Sequence, residues 1–288
     1  MNISGFVFTL FLACMLCPTV SAEKKADYPK AEIKVQYRYH EEFLRGSDGV
    51  IRRDIPMLLL ANNTVSKFYC PDTEYRDSLE STPSGRAKAK EILHSALRQY
   101  SSGADRSVLD NIVYKTFMYV FKDVAKAEMQ VYDKAGLTEF GHYSEPWGEQ
   151  QWQICDSIKE ILGYECQMAQ SDYHGRLWTV WFAADIPLQD GPWKFCGLPG
   201  LILEASEPSG QHHFIATGIE HSGKEIVPIY NPNNYEKMSR RDLLKGRRNS
   251  LENGMSIFRA RTGYDLGADD APVTEESRKY DFMETDYH

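Results

Sequence analysis

Apolar and polar residues alternate over residues 31–43, which predicts a half-buried antiparallel strand. Ile33, Val35, Tyr37 and Tyr39 fall on one side of this strand, and the residues between them are charged or polar. A period of two residues places alternate side chains on opposite faces of a sheet. We therefore expect one face of the strand to pack in a core and the other to meet solvent.

Turn residues divide much of the remaining chain into further strands and one helix. Asn62-Asn63 separates two strand-like runs, and because Asn tolerates a positive φ this pair predicts a tight hairpin. A helix is predicted over 86–100 from the spacing of its apolar residues, with Ser84 as its N-cap and Gly103 beyond its end. The other strands are predicted at or near residues 57–61, 64–69, 113–121, 129–132, 152–155, 164–170, 177–183, 201–205 and 213–219.

Two of these strands, 113–121 and 177–183, have apolar side chains on both faces. An antiparallel strand with one solvated face alternates cleanly, so we expect both faces at the centre of the sheet to be shielded from water. One face would pack against the helix, and the other would line a cavity or meet a second layer. The predicted fold class is α+β, mainly antiparallel β, with a curved sheet and one or two covering helices.

The first residues predict an export signal over residues 1–22. Residues 6–16 are apolar and uncharged, and Val20-Ser21-Ala22 is a small-residue cleavage site. The apolar run is shorter than the roughly 20 residues that a membrane-spanning helix needs. Cys14 offers an alternative, a lipoprotein-like cleavage site, and the sequence leaves lipidation there open. After the signal we expect a single domain over residues 23–262.

Charge is distributed unevenly in a chain whose net charge is −8. The acidic balance argues against nucleic acid as a partner, because phosphate binding needs clustered Lys and Arg. Residues 235–261 are basic, whereas residues 263–288 form an acidic tail. We interpret them as a solvated basic helix followed by a disordered tail. The alternative is a basic face that makes a peripheral contact with anionic lipid headgroups.

Removal of the predicted signal would leave four cysteines, Cys70, Cys155, Cys166 and Cys196. An even number in an oxidising compartment favours disulfides. If a hairpin centres between Glu160 and Ile161, Cys155 and Cys166 face each other at a separation that a disulfide can bridge. Four buried thiols are the alternative.

Several blocks of the sequence resemble the GLPGLI family. They are residues 161–169, 175–182, 186–187, 191–195 and the hexapeptide Gly197-Leu198-Pro199-Gly200-Leu201-Ile202, which gives the family its name. The similarity extends over most of the chain to about Ile219. It implies an exported protein of Gram-negative bacteria, in the periplasm or associated with the outer membrane, and it transfers no activity and no catalytic residues. The strand pattern is also similar to that of envelope carriers with a LolA-like half-barrel, an analogy of fold that does not fix function.

A ligand-binding surface is predicted from the tryptophans and the hexapeptide, namely Trp178, Trp181, Trp193, Gly197, Leu198, Pro199 and Gly200. Glycines let a backbone approach a ligand closely, and tryptophan offers a flat apolar surface. The hexapeptide also fits a rigid turn that leads into a buried strand. We expect an exported, non-catalytic envelope protein that binds an apolar or peptide ligand or a partner protein, without a cofactor or metal.

The alternative function is a hydrolase or an enzyme accessory that uses Cys196 or the His212-His213 pair. A cysteine nucleophile requires a nearby histidine base, and the sequence does not show which residues are close in space. Adjacent histidines on a strand point to opposite faces, so His212 and His213 are not expected to share a metal ion. A third alternative is a structural or interaction module with a filled sheet interior.

Overall fold

The computed structural model describes residues 27–44, 50–105, 108, 116–263, 270, 274–275 and 279–288. The predicted signal peptide and Cys14 lie outside these residues. Within them the chain forms twelve strands, β1 to β12, over Ile33–Leu44, Val50–Ala61, Val65–Tyr69, Tyr119–Asp123, Glu128–Lys134, Phe140–Pro146, Gln153–Ile161, Tyr164–Tyr173, Arg176–Ala183, Leu201–Ser206, His212–His221 and Glu236–Lys237. Four helices, α1 to α4, span Pro71–Glu80, Pro83–Ser101, Arg240–Glu252 and Gly254–Thr262. None of these helices combines the length and the apolar character that crossing a bilayer requires.

All twelve strands belong to one sheet, in the order β12-β6-β5-β4-β3-β2-β1-β11-β10-β9-β8-β7. Two meanders, β1 to β6 and β7 to β11, join where β1 pairs with β11. Neighbouring strands are antiparallel, except that the short β12 runs parallel to β6. The sheet therefore consists mainly of contacts between strands that follow one another in the chain.

The connection from β6 to β7 shows why the sheet has to curve. β6 lies next to one end of the sheet and β7 forms the other end, yet residues 147–152 are enough to join them. Ten strand spacings of about 4.8 Å would separate them by roughly 48 Å in a flat sheet, whereas this segment reaches at most about 25 Å. The predicted fold class, α+β with a curved and mainly antiparallel sheet, is confirmed.

The large core lies on the inner face of the curved sheet. Strand register places Tyr37, Leu59, Phe68, Val131 and Trp178 on this face, and all five side chains are buried. The alternation predicted for β1 is confirmed, since its apolar side is the buried one. Burial of so many large side chains on one face is the main contribution to folding that the sheet can make.

The outer face is covered over only part of its width. Leu60, Tyr69 and Tyr119 form a second buried cluster there, with Ala31 and Ile226 packed against them. This region includes β4, where the predicted shielding of both faces is present. The predicted shielding is absent at β9, because Leu177 on the outer face of this strand is 41% exposed.

The predicted hairpin between β2 and β3 is present, but it is held in a different way from the one expected. Neither Asn62 nor Asn63 has a positive φ. Instead, Asn62 Oδ1 accepts hydrogen bonds from the backbone N–H groups of Thr64 and Val65, each at 2.9 Å. A side chain that mimics a backbone turn in this way is a common use of asparagine.

The helices near the middle of the chain differ from the prediction. The N-cap of α2 is Thr82, whose side chain accepts a hydrogen bond from Gly85 N at 3.0 Å, so the expected cap at Ser84 is wrong. α2 packs against α1, and α1 in turn contacts β2. The pattern did not predict α1 because a polar side chain anchors it: Glu74 is buried and accepts a hydrogen bond from Lys67 at 2.7 Å.

The basic helix contacts residues 279–288, the last part of the predicted acidic tail, so for this part the prediction of a solvated helix and a disordered tail is wrong. Most of residues 264–278 lie outside the described residues. In residues 279–288 the side chains of Glu284 and Tyr287 are buried. Arg240 on α3 pairs with Glu284 at 2.8 Å and with Asp286 at 2.6 Å. Opposite charges that are far apart in the sequence neutralise each other, and this part of the tail is a packed part of the domain.

A buried lysine attaches the long connection between β9 and β10, residues 184–200, to the sheet. Lys122 on β4 is fully buried, and its Nζ lies 2.6 Å from Asp190 Oδ1. The same ammonium donates to the carbonyl oxygens of Gly191 and Phe195, each at 2.9 Å. Three oxygen acceptors match the three donors of the ammonium group. Since Lys122 projects from the inner face, the 184–200 loop has to cross that face.

We predict that Lys122→Met lowers the free energy of unfolding by about 3–5 kcal/mol, because it leaves the Asp190 carboxylate buried without its cation. Chemical denaturation followed by tryptophan fluorescence would measure this change. Lys126→Met is the matched control, since Lys126 is exposed and pairs with Asp123 at the surface. The control should leave the free energy of unfolding unchanged. Equal effects of the two lysine variants would contradict the anchoring role of Lys122.

Candidate functional site

The 184–200 loop contains most of the predicted ligand-binding residues and folds into a tight turn. Phe195 N donates a hydrogen bond to Pro192 O at 3.1 Å, and Trp193 between them has a φ of 50°. A positive φ is rare for a bulky residue and costs about 1–3 kcal/mol. The contacts around the turn therefore have to hold it in place. As a result Trp193, Lys194 and Phe195 are all buried.

Aromatic rings fill the space beneath this turn. The ring centroid of Trp178 on β9 lies 5.5 Å from that of Trp193 and 4.8 Å from that of Phe195. Trp193 and Phe195 are 5.0 Å apart, and none of the three residues is more than 1% exposed. Contacts between large rings at such distances add to the energy of burial. The protein's own side chains thus occupy the region where the sequence predicts a ligand.

Trp181, another predicted ligand residue, lies on the outer face. Lys159 Nζ is 4.3 Å from its ring centroid and 2.6 Å from Glu204 Oε2. His213 Nε2 lies 3.3 Å from the other oxygen of the same carboxylate. Trp181 is therefore part of a polar cluster on the outer face, and the sheet separates it from the aromatic rings inside.

The hexapeptide leads from the loop into β10. Gly197 and Pro199 are exposed, whereas Leu198 and Gly200 are buried. A Cβ atom on Gly200 would lie 2.2 Å from the carbonyl oxygen of Ala183 at the end of β9, so this position has room only for glycine. These placements match the alternative prediction for the hexapeptide, a rigid turn that leads into a buried strand.

Lys194 is the centre of a buried network of charges. Its ammonium lies 2.7 Å from Glu145 Oε2 on β6 and 2.7 Å from Glu284 Oε1 in the C-terminal segment. Arg240 on α3 pairs with the same two carboxylates, at 3.3 Å and 2.8 Å. Lys194 itself is 0% exposed. The network therefore links the 184–200 loop to the sheet, to α3 and to the end of the chain.

His174, in the turn between β8 and β9, borders this network. Its Nε2 lies 3.4 Å from Glu145 Oε1 and its Nδ1 lies 3.3 Å from Asp286 Oδ2. Both ring nitrogens thus face carboxylates. We refer to the six residues of the network as the Lys194 cluster, which comprises Glu145, His174, Lys194, Arg240, Glu284 and Asp286.

The electrostatics of the Lys194 cluster keep Glu145 and Asp286 charged. Burial alone would raise the pKa of Glu145, but the Lys194 ammonium and His174 lower it to about 2. Burial also acts to raise the pKa of Asp286, and the hydrogen bond and charge of Arg240 lower it below its ordinary value. Both groups are therefore ionised at neutral pH, and the buried cations are matched by fixed negative charges.

Three members of the Lys194 cluster have atoms that could ligate a metal ion. One atom each of Glu145, His174 and Glu284 lies within 4.8 Å of the others. Two carboxylates and an imidazole suit an ion such as Zn²⁺. Lys194 and Arg240 already bring positive charge to both carboxylates, so a divalent ion would have to displace the ammonium. The geometry fits an ion-pair network better than a metal centre.

The residues of the enzymatic alternative lie in three different surroundings. Cys196 is buried with its sulfur 3.5 Å from Gln150 Oε1, and burial raises the pKa of the thiol to about 12. His212 lies on the inner face with Nδ1 2.8 Å from the hydroxyl of Tyr39, and burial lowers its pKa to about 4. His213 points to the outer face, as expected for a neighbouring residue on a strand. This arrangement does not pair the thiol with either histidine.

The predicted disulfide between Cys155 and Cys166 is wrong, because the four cysteines in the described part of the chain are free. The hairpin turn falls at Leu162-Gly163, two residues later than expected. With the turn at this position Lys159 opposes Cys166, and an irregularity between Ile154 and Ile158 shifts the register near Cys155 further. The register error explains the failed pairing, since opposed positions decide which side chains meet across a hairpin.

Sequence reasoning missed the Lys194 cluster. Its members come from β6, the β8–β9 turn, the 184–200 loop, α3 and the C-terminal segment, so no local spacing connects them. One signal was present: Lys194 stands between Trp193 and Phe195 in an apolar segment. A charged residue that is drawn into a core by its neighbours requires a partner of opposite charge.

Comparison with known proteins connects part of this site to a family. A family model described as "Protein of unknown function (Porph_ging)" matches residues 172–204, which include β9, the 184–200 loop and the start of β10. This family is usually called GLPGLI, so the resemblance is confirmed for this stretch. No match to the chain is found among curated proteins.

Two structures of PNGF-II, in the P21 and C2 space groups, are similar to the chain. The identities are 13% and 14%, the alignments cover 72% and 76% of this chain, and both TM-scores are 0.45. The chain spans about a third of the length of these structures, 31% and 32%.

The lowered pKa of Glu145 predicts how stability depends on pH. A depressed pKa adds stability above the ordinary value of about 4.5, and this contribution disappears as the pH falls towards about 2. Denaturation at a series of pH values should therefore show a loss of stability over this interval that is smaller in Glu145→Gln. Glu149→Gln, an exposed neighbour, is the control and should keep the wild-type slope. An unchanged slope in Glu145→Gln would argue against the ion pair with Lys194.

Cysteine labelling tests the state of the thiols. Cys155 is partly exposed, and the other three cysteines are buried. Burial raises the pKa of Cys166 to about 11 and that of Cys196 to about 12. Because the thiolate is the nucleophile, iodoacetamide should label Cys155 first in the native protein without a reductant, as peptide mass spectrometry would show. Cys155→Ser should abolish this early labelling. A requirement for prior reduction would show instead that Cys155 is in a disulfide.

Proposed function

We propose that the protein is an exported, non-catalytic binding protein of the bacterial envelope, with a GLPGLI-type domain. It binds an extended peptide segment of a partner protein along the edge strand β7. The match of residues 172–204 to the family model supports the domain assignment, and the apolar stretch in residues 1–22 supports export. The observation that carries the binding role is the exposed apolar surface of β7.

β7 ends the sheet on the side opposite to β12. Ile154 is 49% exposed and Ile158 is 59% exposed, although both lie in a strand. They oppose Ala169 and Gln167 on β8, so both point to the inner-face side of the sheet. β7 thus offers two apolar side chains on one side of a strand whose other long edge is free to pair within the described structure.

An edge strand supports peptide binding for a simple physical reason. Its outward N–H and C=O groups can form a ladder with an added strand, and its alternate side chains select the residues of that strand. The irregularity between Ile154 and Ile158 interrupts the ladder. A bound segment would therefore pair continuously with residues 158–161 and contact Ile154 separately. Such an interruption also limits unselective pairing between sheet edges.

The packing of the inner face favours a peptide over an apolar ligand held inside the sheet. Trp178, Trp193 and Phe195 fill the region beneath the 184–200 loop. Access to it would require the buried contacts of Lys122 and Lys194 to break. The edge of β7 requires no such rearrangement, because its apolar side chains are already at the surface.

Selection of displayed peptides on the immobilised protein tests this proposal. Selected peptides should protect the amides of 153–161 from hydrogen exchange, and Ile154→Lys with Ile158→Lys should weaken binding by about tenfold or more, since charges on an edge strand oppose strand addition. Leu177→Lys, on the outer face, is the matched control and should bind like the wild type. Protection confined to other strands, or equal binding by the β7 variant, would count against β7 as the site.

A further inference from the structure

Helix α2 has an apolar stripe that the described structure leaves half exposed. Ile92, Leu93, Leu97 and Tyr100 are between 40% and 48% exposed, whereas Ala96 between them is buried. Residues three and four apart share one face of a helix, so these four side chains lie on one side of α2, where they flank the buried Ala96, and we call them the α2 stripe. Exposed apolar surfaces of this kind usually mark an interaction site.

The α2 stripe is exposed because α2 contacts the rest of the fold through small residues. Gly85 and Ala96 are its buried residues. A Cβ atom on Gly85 would lie 1.8 Å from the carbonyl oxygen of Leu79 at the end of α1, so the start of α2 lies close against α1. Larger side chains further along the helix project beyond this contact.

Basic residues border the α2 stripe on both sides. At 100° per residue, Lys88 falls beyond Ile92 on one side, and Arg86 and Lys90 fall beside Leu97 on the other. The acid of this helix, Glu91, falls on the opposite surface, as does Arg98. α2 thus has four basic residues and one acidic residue in a chain whose net charge is −8.

An apolar stripe between rows of Lys and Arg is the pattern of a helix that lies in a membrane interface. The apolar side chains enter the boundary between headgroups and acyl chains, and the basic side chains extend to the phosphates. We propose that α2 binds the surface of a bilayer that contains anionic phospholipids, with the α2 stripe towards the acyl chains. The acidic remainder of the protein would be repelled by the same surface, which restricts the contact to α2.

The other basic segment is less suited to this role. On α3, Arg240 pairs with Glu284 and Asp286, and Arg247 pairs with Asp133 at 2.8 Å. Cations that are neutralised within the fold attract anionic lipid only weakly. The contact with anionic lipid that the sequence analysis gave as an alternative for the basic residues 235–261 therefore fits α2 better. This inference is independent of the proposed peptide site on β7.

Vesicle flotation with the full chain tests the proposal. Vesicles of phosphatidylglycerol and phosphatidylethanolamine should bind the protein, and vesicles of phosphatidylcholine should bind it at least about fivefold less, since each basic residue near an anionic surface contributes about fivefold. Leu97→Gln should lower binding to the anionic vesicles by about tenfold, and Lys90→Glu by at least about fivefold. Leu97 and Lys90 are exposed, as are the two control residues that are named below. All four variants should therefore keep the wild-type circular dichroism spectrum.

Two controls carry the same chemical changes at other surfaces. Leu251→Gln removes an apolar side chain on α3 that is 59% exposed, and Arg98→Glu reverses a charge on the far side of α2. Both should bind like the wild type. Absence of binding to anionic vesicles would overturn the proposal and indicate a protein as the partner of α2. Equal effects of Arg98→Glu and Lys90→Glu, or equal binding to both kinds of vesicle, would also overturn it.

Discussion

Two lysines cross the boundary between the sheet and the 184–200 loop in opposite directions. Lys122 extends from β4 to oxygens of the loop, and Lys194 extends from the loop to Glu145 on β6 and to Glu284 near the end of the chain. An ammonium group in an interior is stable only when oxygen atoms surround it. Each lysine therefore restricts the loop to a path that supplies those oxygens. The positive φ of Trp193 is tolerated because these contacts and the aromatic packing hold the turn on both sides.

The path that the two lysines impose on the 184–200 loop gives a structural role to residues 172–204, the most recognisable segment of the chain. The family model matches residues 172–204, which contain β9, the loop and the start of β10. Gly200 permits the close approach to Ala183, and Trp193 and Phe195 close the inner face. A sequence signature in this segment thus reports how the inner face of the sheet is covered. It does not by itself identify a reaction, because the side chains that define it are mostly turned inward.

Local patterns predicted the local part of the fold well. The alternation of β1, the hairpin at Asn62 and the antiparallel run from β7 to β11 each depend on residues close in sequence. The failures have two causes. The disulfide failed because Leu162 takes a positive φ of 53° and moves the turn, which an apolar residue gives no reason to expect. The Lys194 cluster and the packed C-terminal segment depend on charges more than 40 residues apart, such as Arg240 and Glu284 at a separation of 44, and no spacing rule relates them.

The two exposed apolar surfaces differ in the partner that each could accept. Near Ile158 on β7, charges of both signs occur side by side in Asp156, Lys159 and Glu160, and an edge strand offers directional backbone groups. A partner there must present its own backbone in a defined register. The α2 stripe is bordered by cations and has no free backbone groups, because the helix satisfies them internally. It can accept a surface without a register, such as a layer of anionic headgroups, and would repel a basic peptide. The two surfaces thus select partners by different physical means.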